Sequence, residues 1–216
     1  MANINAPFGL QPVQYLNGNM WNGQVRIYVI PSGDGNAYAP GDPVATSSGN
    51  ADTYGISAIT LATAGSGNPI RGVAIAFGTG PVGSTATAGP FPGGPYVNPS
   101  NLASVIVPAT KTSNWYAAVV DDPEVLFEIQ EATPSGPLAM SVIGKNAVLV
   151  SGTNNGYVSG WQLSAATAPA VTAAYQLRIM QLIQRPDVTP VSANQKWLVK
   201  INTHELGAGA TGVAGN

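Results

Sequence analysis

The sequence contains no cysteine, and this absence excludes several classes of chemistry together. Disulfide bonds, zinc–thiolate sites and cysteine nucleophiles all require thiols. Histidine is almost absent as well, because His204 in the stretch INTHELG is the only one. A metal site or an acid–base pair needs more partners than His204 and Glu205 offer. We therefore interpret His204 as a surface or strand-end histidine.

Charge is scarce, at 8% of residues against a typical value of about 25%. Eight Lys and Arg against ten Asp and Glu give a net charge of −2. So few cations, spread along the chain, cannot form the basic face that phosphate neutralisation requires, so we expect no direct nucleic-acid binding. Weak charge repulsion also suggests, as a hypothesis, that partners cover much of the surface.

Sequence motifs of catalysis and of ligand binding are also missing. The Gly-rich stretches 65–72 and 32–36 match no nucleotide-binding pattern, and no GxSxG elbow is present. Asp121, Asp122 and Glu124 form the densest acidic group, which fits a turn better than a calcium site. We therefore predict a protein that is not an enzyme and binds no metal or cofactor.

No segment predicts export or membrane insertion. The N-terminus lacks a basic region followed by an apolar run, so it does not resemble a signal peptide. The charge-free stretches 72–110 and 146–177 are interrupted by Gly, Pro and polar residues, which argues against a spanning helix.

The residues that are present favour strands and turns. Gly (26) and Pro (18) together make up about a fifth of the chain, while 44% of residues are hydrophobic. Short alternating segments at roughly ten-residue spacing predict an all-β fold, either a jelly-roll-like sandwich, which we favour, or a barrel. Residues 138–150 fit a short helix or a strand. The predicted strands cover 24–30, 54–61, 69–77, 102–109, 114–120, 124–130, 175–183 and 196–202.

The chain divides into three predicted parts. Residues 1–22, rich in Pro and Gly, predict an extended arm, residues 23–206 a single β domain, and residues 207–216 a flexible tail. Trp115 and Trp197 lie in strand patterns and are expected in the core. A carbohydrate platform built from tryptophan and tyrosine side chains remains an alternative.

Three segments carry a resemblance to a known family. They are NAPFGLQPVQYLNGNMWNG (5–23), which runs into a strand ending in IPSGDG (30–35), then VVDDPEVLFEIQ (119–130) and LRIMQLIQRPDVTPVSANQKWLVKINTHEL (177–206). In this order they resemble the capsid cement, or head-decoration, proteins of tailed bacteriophages, especially short-tailed ones. The resemblance covers most of the chain and brings no catalytic residues with it.

The resemblance implies a non-catalytic protein on the outer surface of a virion assembled in the host cytoplasm. It would bridge major capsid subunits and associate with itself, as a homotrimer first and a dimer second. A head–tail connector or tail component, a carbohydrate-binding module and an enzyme remain alternatives. The fourteen residues AGPFPGGPYVNPSN (88–101) would form a docking loop, although this loop and the arm could instead wrap the protein's own domain. The expected interface side chains are Phe8, Leu10, Trp21, Phe91, Tyr96 and Trp161.

Overall fold

Strands dominate the protein, as the sequence predicts. The computed structural model describes residues 3–78, 105–133 and 137–207. Within these ranges the only helical element is a 3-10 turn, Met140–Val142, and no helix has the length and apolar character needed to cross a bilayer. The strands are β1 (Gln11–Tyr15), β2 (Arg26–Ile30), β3 (Asp42–Ala51), β4 (Ser57–Leu61), β5 (Gly72–Gly78), β6 (Trp115–Val120), β7 (Val125–Gln130), β8 (Asn146–Ala147), β9 (Leu149–Val150), β10 (Gln162–Leu163), β11 (Leu177–Leu182) and β12 (Lys196–Ile201).

Five strands close into a small barrel in the order β2-β4-β3-β5-β6. Only the β2–β4 contact is parallel. A Cβ on Gly72 would lie 2.3 Å from the Val120 carbonyl oxygen, so glycine lets β5 approach the end of β6. The register also shifts between Ala74 and Ala76. The Gly and Ala residues of 69–77 predict close packing or a bulge in this strand, and the structure has both. The barrel interior holds Tyr28, Ile30, Tyr38, Val44, Ile59, Ala74, Phe77, Val107, Ala117 and Val119.

The other five-stranded sheet is antiparallel, in the order β1-β7-β12-β11-β8. Alternation in 124–130 and 196–202 predicts that Phe127 and Trp197 point inward, and both lie in the same buried core. In β11 a register shift after Ile179 turns Leu182 inward and leaves Gln181 exposed. Uninterrupted alternation in the sequence predicts Leu177, Ile179, Gln181 and Ile183 on one face, and this prediction is wrong beyond Ile179 because a bulge reverses the faces. Strands β9 and β10 form a separate pair.

The largest core lies between the five-stranded sheet and the outside of the barrel. Ile70, Val73 and Val120 belong to the barrel side of this core. Leu10 and Trp161 are buried in the same core, at 0% and 3% exposure. Their burial corrects the expectation that they are interface anchors, because the protein's own side chains already cover them. Trp197 is fully buried and Trp115 half-buried against the barrel core, in line with the core positions predicted for both.

The extended arm predicted over residues 1–22 is not confirmed. Residues 11–15 form β1, an edge strand paired with β7. The side chain of Asn3 donates hydrogen bonds to the carbonyls of Thr189 (3.1 Å) and Ala193 (3.0 Å). The Gln130 amide also binds the N-terminal backbone, at Ile4 and Ala6. This segment is therefore fastened to its own sheet.

Several predicted features are not confirmed or lie outside the described residues. The jelly-roll arrangement is not confirmed, since the strands form a barrel and a second sheet. Residues 138–150 contain the 3-10 turn and two short strands. In the predicted strand 102–109 only residues 105–109 are described, and Val107 pairs with Tyr38 as an isolated bridge. The docking loop 88–101 and nearly all of the tail lie outside the described residues.

Candidate functional site

A short hairpin brings two of the predicted interface residues together. After β1, the Tyr15 N–H donates to the Asn19 carbonyl (2.8 Å), and the Trp21 N–H donates to the Val13 carbonyl (3.1 Å). Gly18 lies in this turn with a φ of +90°, a conformation that glycine adopts without steric cost. The turn folds Trp21 back along β1, close to Phe8.

An open groove of about 570 Å³ follows this hairpin. Met20, at 72% exposure, is the most exposed of its apolar side chains, while Phe8 and Trp21 are half-buried. One wall is mostly apolar and the other is charged. The groove is lined by Phe8, Gln11, Pro12, Val13, Met20, Trp21, Glu128, Arg185 and Lys196.

The charges on the second wall neutralise one another. Arg185 donates two hydrogen bonds to the Glu128 carboxylate, at 2.8 and 2.5 Å. Asp187 accepts bonds from Lys196 (2.5 Å) and Arg185 (3.2 Å). The Lys196 bond is the largest effect on Asp187 and, with the charges of Lys196 and Arg185, it outweighs the opposing effect of burial and holds the pKa of Asp187 below its usual range. Two cations and two carboxylates give a wall without net charge.

One donor of a groove residue is unpaired among the described residues but not available to a ligand. The indole Nε1–H of Trp21 is buried and has no hydrogen-bond acceptor within the described part of the chain. Because this atom is buried, the ring contributes its apolar surface to the groove. The groove therefore offers apolar contact area and an aromatic anchor.

The structure describes four of the six predicted interface residues. It brings Phe8 and Trp21 to one surface, whereas Leu10 and Trp161 are in the core. Phe91 and Tyr96 lie outside the described residues. The sequence reasoning missed Met20, although its position beside Trp21 in a Gly-rich turn was an available signal.

Comparison with known proteins gives no relative. Neither the family models, nor the curated proteins, nor the solved structures contain a match to this chain.

A second polar cluster lies where the barrel meets the C-terminal segment. The Tyr28 hydroxyl donates to Asp121 (2.6 Å) and accepts a bond from Arg71 Nε (2.8 Å). Burial, together with the bond to Asp121, raises the pKa of Tyr28, so this hydroxyl stays protonated. Arg71 also lies 3.8 Å from Glu205 of the C-terminal segment, and Arg26 binds Asp121 from the surface at 3.2 Å.

The acidic stretch that follows β6 forms a turn. Asp122 Oδ1 accepts the N–H of Glu124 at 2.8 Å, which is the turn contact expected from the sequence. In residues 3–78, 105–133 and 137–207 no three His, Asp or Glu side chains form a group that could hold a metal ion. His204 is 4% exposed and bridges to Ile70. It follows the last strand, as expected, but it is buried and does not lie on the surface.

Proposed function

We propose that the protein is a non-catalytic structural protein of a bacteriophage virion, which binds the outer capsid surface and bridges neighbouring major capsid subunits. The resemblance of three sequence segments to capsid cement proteins supports the class. The observation that supports a binding role is the neutral, aromatic groove formed by the N-terminal hairpin and the sheet. Self-association as a trimer belongs to the same proposal.

A neutral, partly apolar groove can bind an uncharged partner at low cost. Aromatic and methionine side chains dominate binding energy when a partner covers them. The paired charges of Arg185 and Glu128 already satisfy each other, so a partner does not leave either charge buried alone. An uncharged partner segment therefore docks without a large desolvation penalty. Many copies on one shell add such modest contacts together.

The first experiment is a copy count in purified particles by quantitative mass spectrometry. A ratio to the major capsid protein near one, or near a simple fraction, is expected for a shell-wide role. A ratio of a few per cent would reassign the protein to the connector or tail. Its absence from particles would overturn the virion role.

A second experiment tests the groove through its most exposed residue. Met20→Ala should weaken binding to capsids lacking this protein by about tenfold, since a central contact is worth roughly 1.4 kcal/mol or more. Tyr54→Ala is the matched control, because Tyr54 is 70% exposed on the β3–β4 hairpin and outside the groove. Both variants should unfold at the same urea concentration as the parent protein. Equal binding by Met20→Ala and the parent would exclude the groove.

The same assay examines the alternatives. Alanine at Phe91 and Tyr96 is expected to lower capsid occupancy without unfolding the protein, and unchanged occupancy would remove these residues from the interface. Saturable glycan binding that disappears in Trp21→Ala would instead favour a carbohydrate-binding module.

A further inference from the structure

The segment after β12 fastens the five-stranded sheet to the barrel. Residues 203–205, here named the clasp, lie beside Ile70. The Ile70 N–H donates to the Thr203 carbonyl and the Glu205 N–H donates to the Ile70 carbonyl, both at 2.9 Å. The Glu205 carboxylate also accepts the N–H of Thr46 on β3, at 2.8 Å. These bonds join the last strand of one sheet to the wall of the other.

His204 occupies the centre of the clasp in a defined tautomer. Its Nδ1 accepts the N–H of Leu206 at 3.0 Å, so the neutral ring carries its proton on Nε2. The Nε2 atom is buried and has no hydrogen-bond partner in the described part of the chain. Among the described residues, the closed clasp thus already holds one donor without an acceptor.

Protonation would make this arrangement untenable. An imidazolium has two N–H donors. One would point at the Leu206 N–H, which is itself a donor, and the other would remain at the unpaired Nε2 position. A charged ring in this site can satisfy its donors only by reaching water. We propose that the clasp is acid-sensitive and that protonation of His204 releases residues 203–205 from the barrel.

The charged groups around His204 shift its pKa in both directions. Burial lowers the pKa of His204 below its ordinary value of 6.5. The carboxylates of Asp121, Glu205 and Asp122 favour the charged ring, whereas the guanidinium of Arg71 opposes it. The effect of burial is the largest. Because the closed pKa is lowered, the clasp is fully stable above pH 6.5 and loses stability as the pH falls below that value.

The proton uptake on opening determines how steeply clasp opening depends on pH. Opening the clasp takes up as much as one proton per molecule below pH 6.5. The equilibrium constant for opening should therefore rise up to about tenfold for each pH unit in that range, until the ring of the closed form also titrates. The proposal does not depend on the virion role, because it concerns contacts within one chain.

Amide hydrogen exchange provides a local test. Exchange at Ile70 and Glu205 is measured between about pH 7.5 and about pH 5 and corrected for the intrinsic rate at each pH. The amide of Val199 on β12, away from the clasp, serves as an internal control. His204→Asn is the matched variant, since its Oδ1 can accept the Leu206 N–H but does not titrate in this range.

The expected result is a loss of protection at Ile70 and Glu205 in acid, approaching tenfold per pH unit, which Val199 and His204→Asn do not show. The same pH dependence in parent and variant would overturn the proposal. If the variant does not fold, NMR titration of the parent imidazole decides the matter. An imidazole pKa at or above 6.5, with Ile70 and Glu205 still protected, would refute the clasp mechanism.

Discussion

Replacing Gly9 with alanine should detach the N-terminal segment from the barrel. Gly9 has a φ of +71°, and Gly41 on the facing turn has a φ of +97°. A Cβ on Gly9 would lie 2.3 Å from the Gly41 carbonyl oxygen and 2.5 Å from Ser159 Cβ. The same contact holds Leu10, whose N–H donates to the Gly41 carbonyl at 2.9 Å.

The expected loss of stability has two parts. A left-handed conformation costs a residue with a side chain about 1–2 kcal/mol. In addition, the new Cβ is about 1 Å too close to a backbone oxygen, so the two segments must separate. Separation sacrifices the Leu10–Gly41 hydrogen bond, worth about 1 kcal/mol. The free energy of unfolding should fall by about 2–3 kcal/mol in total.

Gly18→Ala provides the matched control in urea unfolding. Gly18 has a φ of +90°, but no atom lies within 4 Å of the position that a Cβ would take, so only the conformational cost of about 1–2 kcal/mol applies. The difference between the two variants isolates the close approach at Gly41. Equal losses for both would refute the steric argument.

Two further predictions concern buried ionisable groups. Lys111→Met should lower the free energy of unfolding by about 2–3 kcal/mol more than Lys145→Met. The buried Lys111 ammonium donates to three backbone carbonyls, whereas Lys145 has no side-chain bond within the described residues. Equal urea midpoints for the two variants would contradict this prediction. Burial raises the pKa of Glu131, so the folded protein binds a proton more tightly and its stability falls as the pH rises above 4.5. In Glu131→Gln the free energy of unfolding should no longer fall with pH by up to about 1.4 kcal/mol per pH unit. Parallel plots of stability against pH for the parent and the variant would contradict this prediction.

Alternation of residues in the sequence predicted the buried face correctly in strands whose faces do not exchange along their length. In β7 the residues Val125, Phe127 and Ile129 all enter the large core. β11 departs from the pattern because a bulge after Ile179 exchanges the two faces. A bulge depends on pairing with a partner strand, which no local periodicity records.

Proline and glycine misled the prediction at the N-terminus. Pro12 and Gly9 suggested an arm, yet β1 is an edge strand, where a missing N–H is tolerated. Trp161 follows Gly160, and this Gly-rich turn favoured an exposed interface position for the tryptophan. A Cβ on Gly160 would lie 2.2 Å from the Thr153 carbonyl, so this glycine permits close packing and does not mark an exposed turn.

The candidate groove was predictable only in part, for a similar reason. Trp21 follows a Gly-rich turn that does reach the surface. Its pairing with Phe8 depends on the hairpin, and the charged wall comes from Glu128 and Arg185, which are 57 residues apart in the sequence. Contacts between such distant residues become visible only when the sheet is formed.

Most of the few basic side chains form ion pairs. Six of the eight basic side chains lie within 4 Å of a carboxylate, namely Arg26, Arg71, Lys111, Arg185, Lys196 and Lys200. Several of these pairs join distant segments, as Arg71 joins the barrel to Glu205 of the clasp. Charges used in this way contribute little net field at the surface, because each cation is neutralised locally. A surface with so little net field repels neither copies of itself nor a neutral partner. Because few charged or titratable side chains of the described residues are buried, the stability of the fold depends on pH at only a few sites. The clasp at His204 is the site where we expect acid to act first.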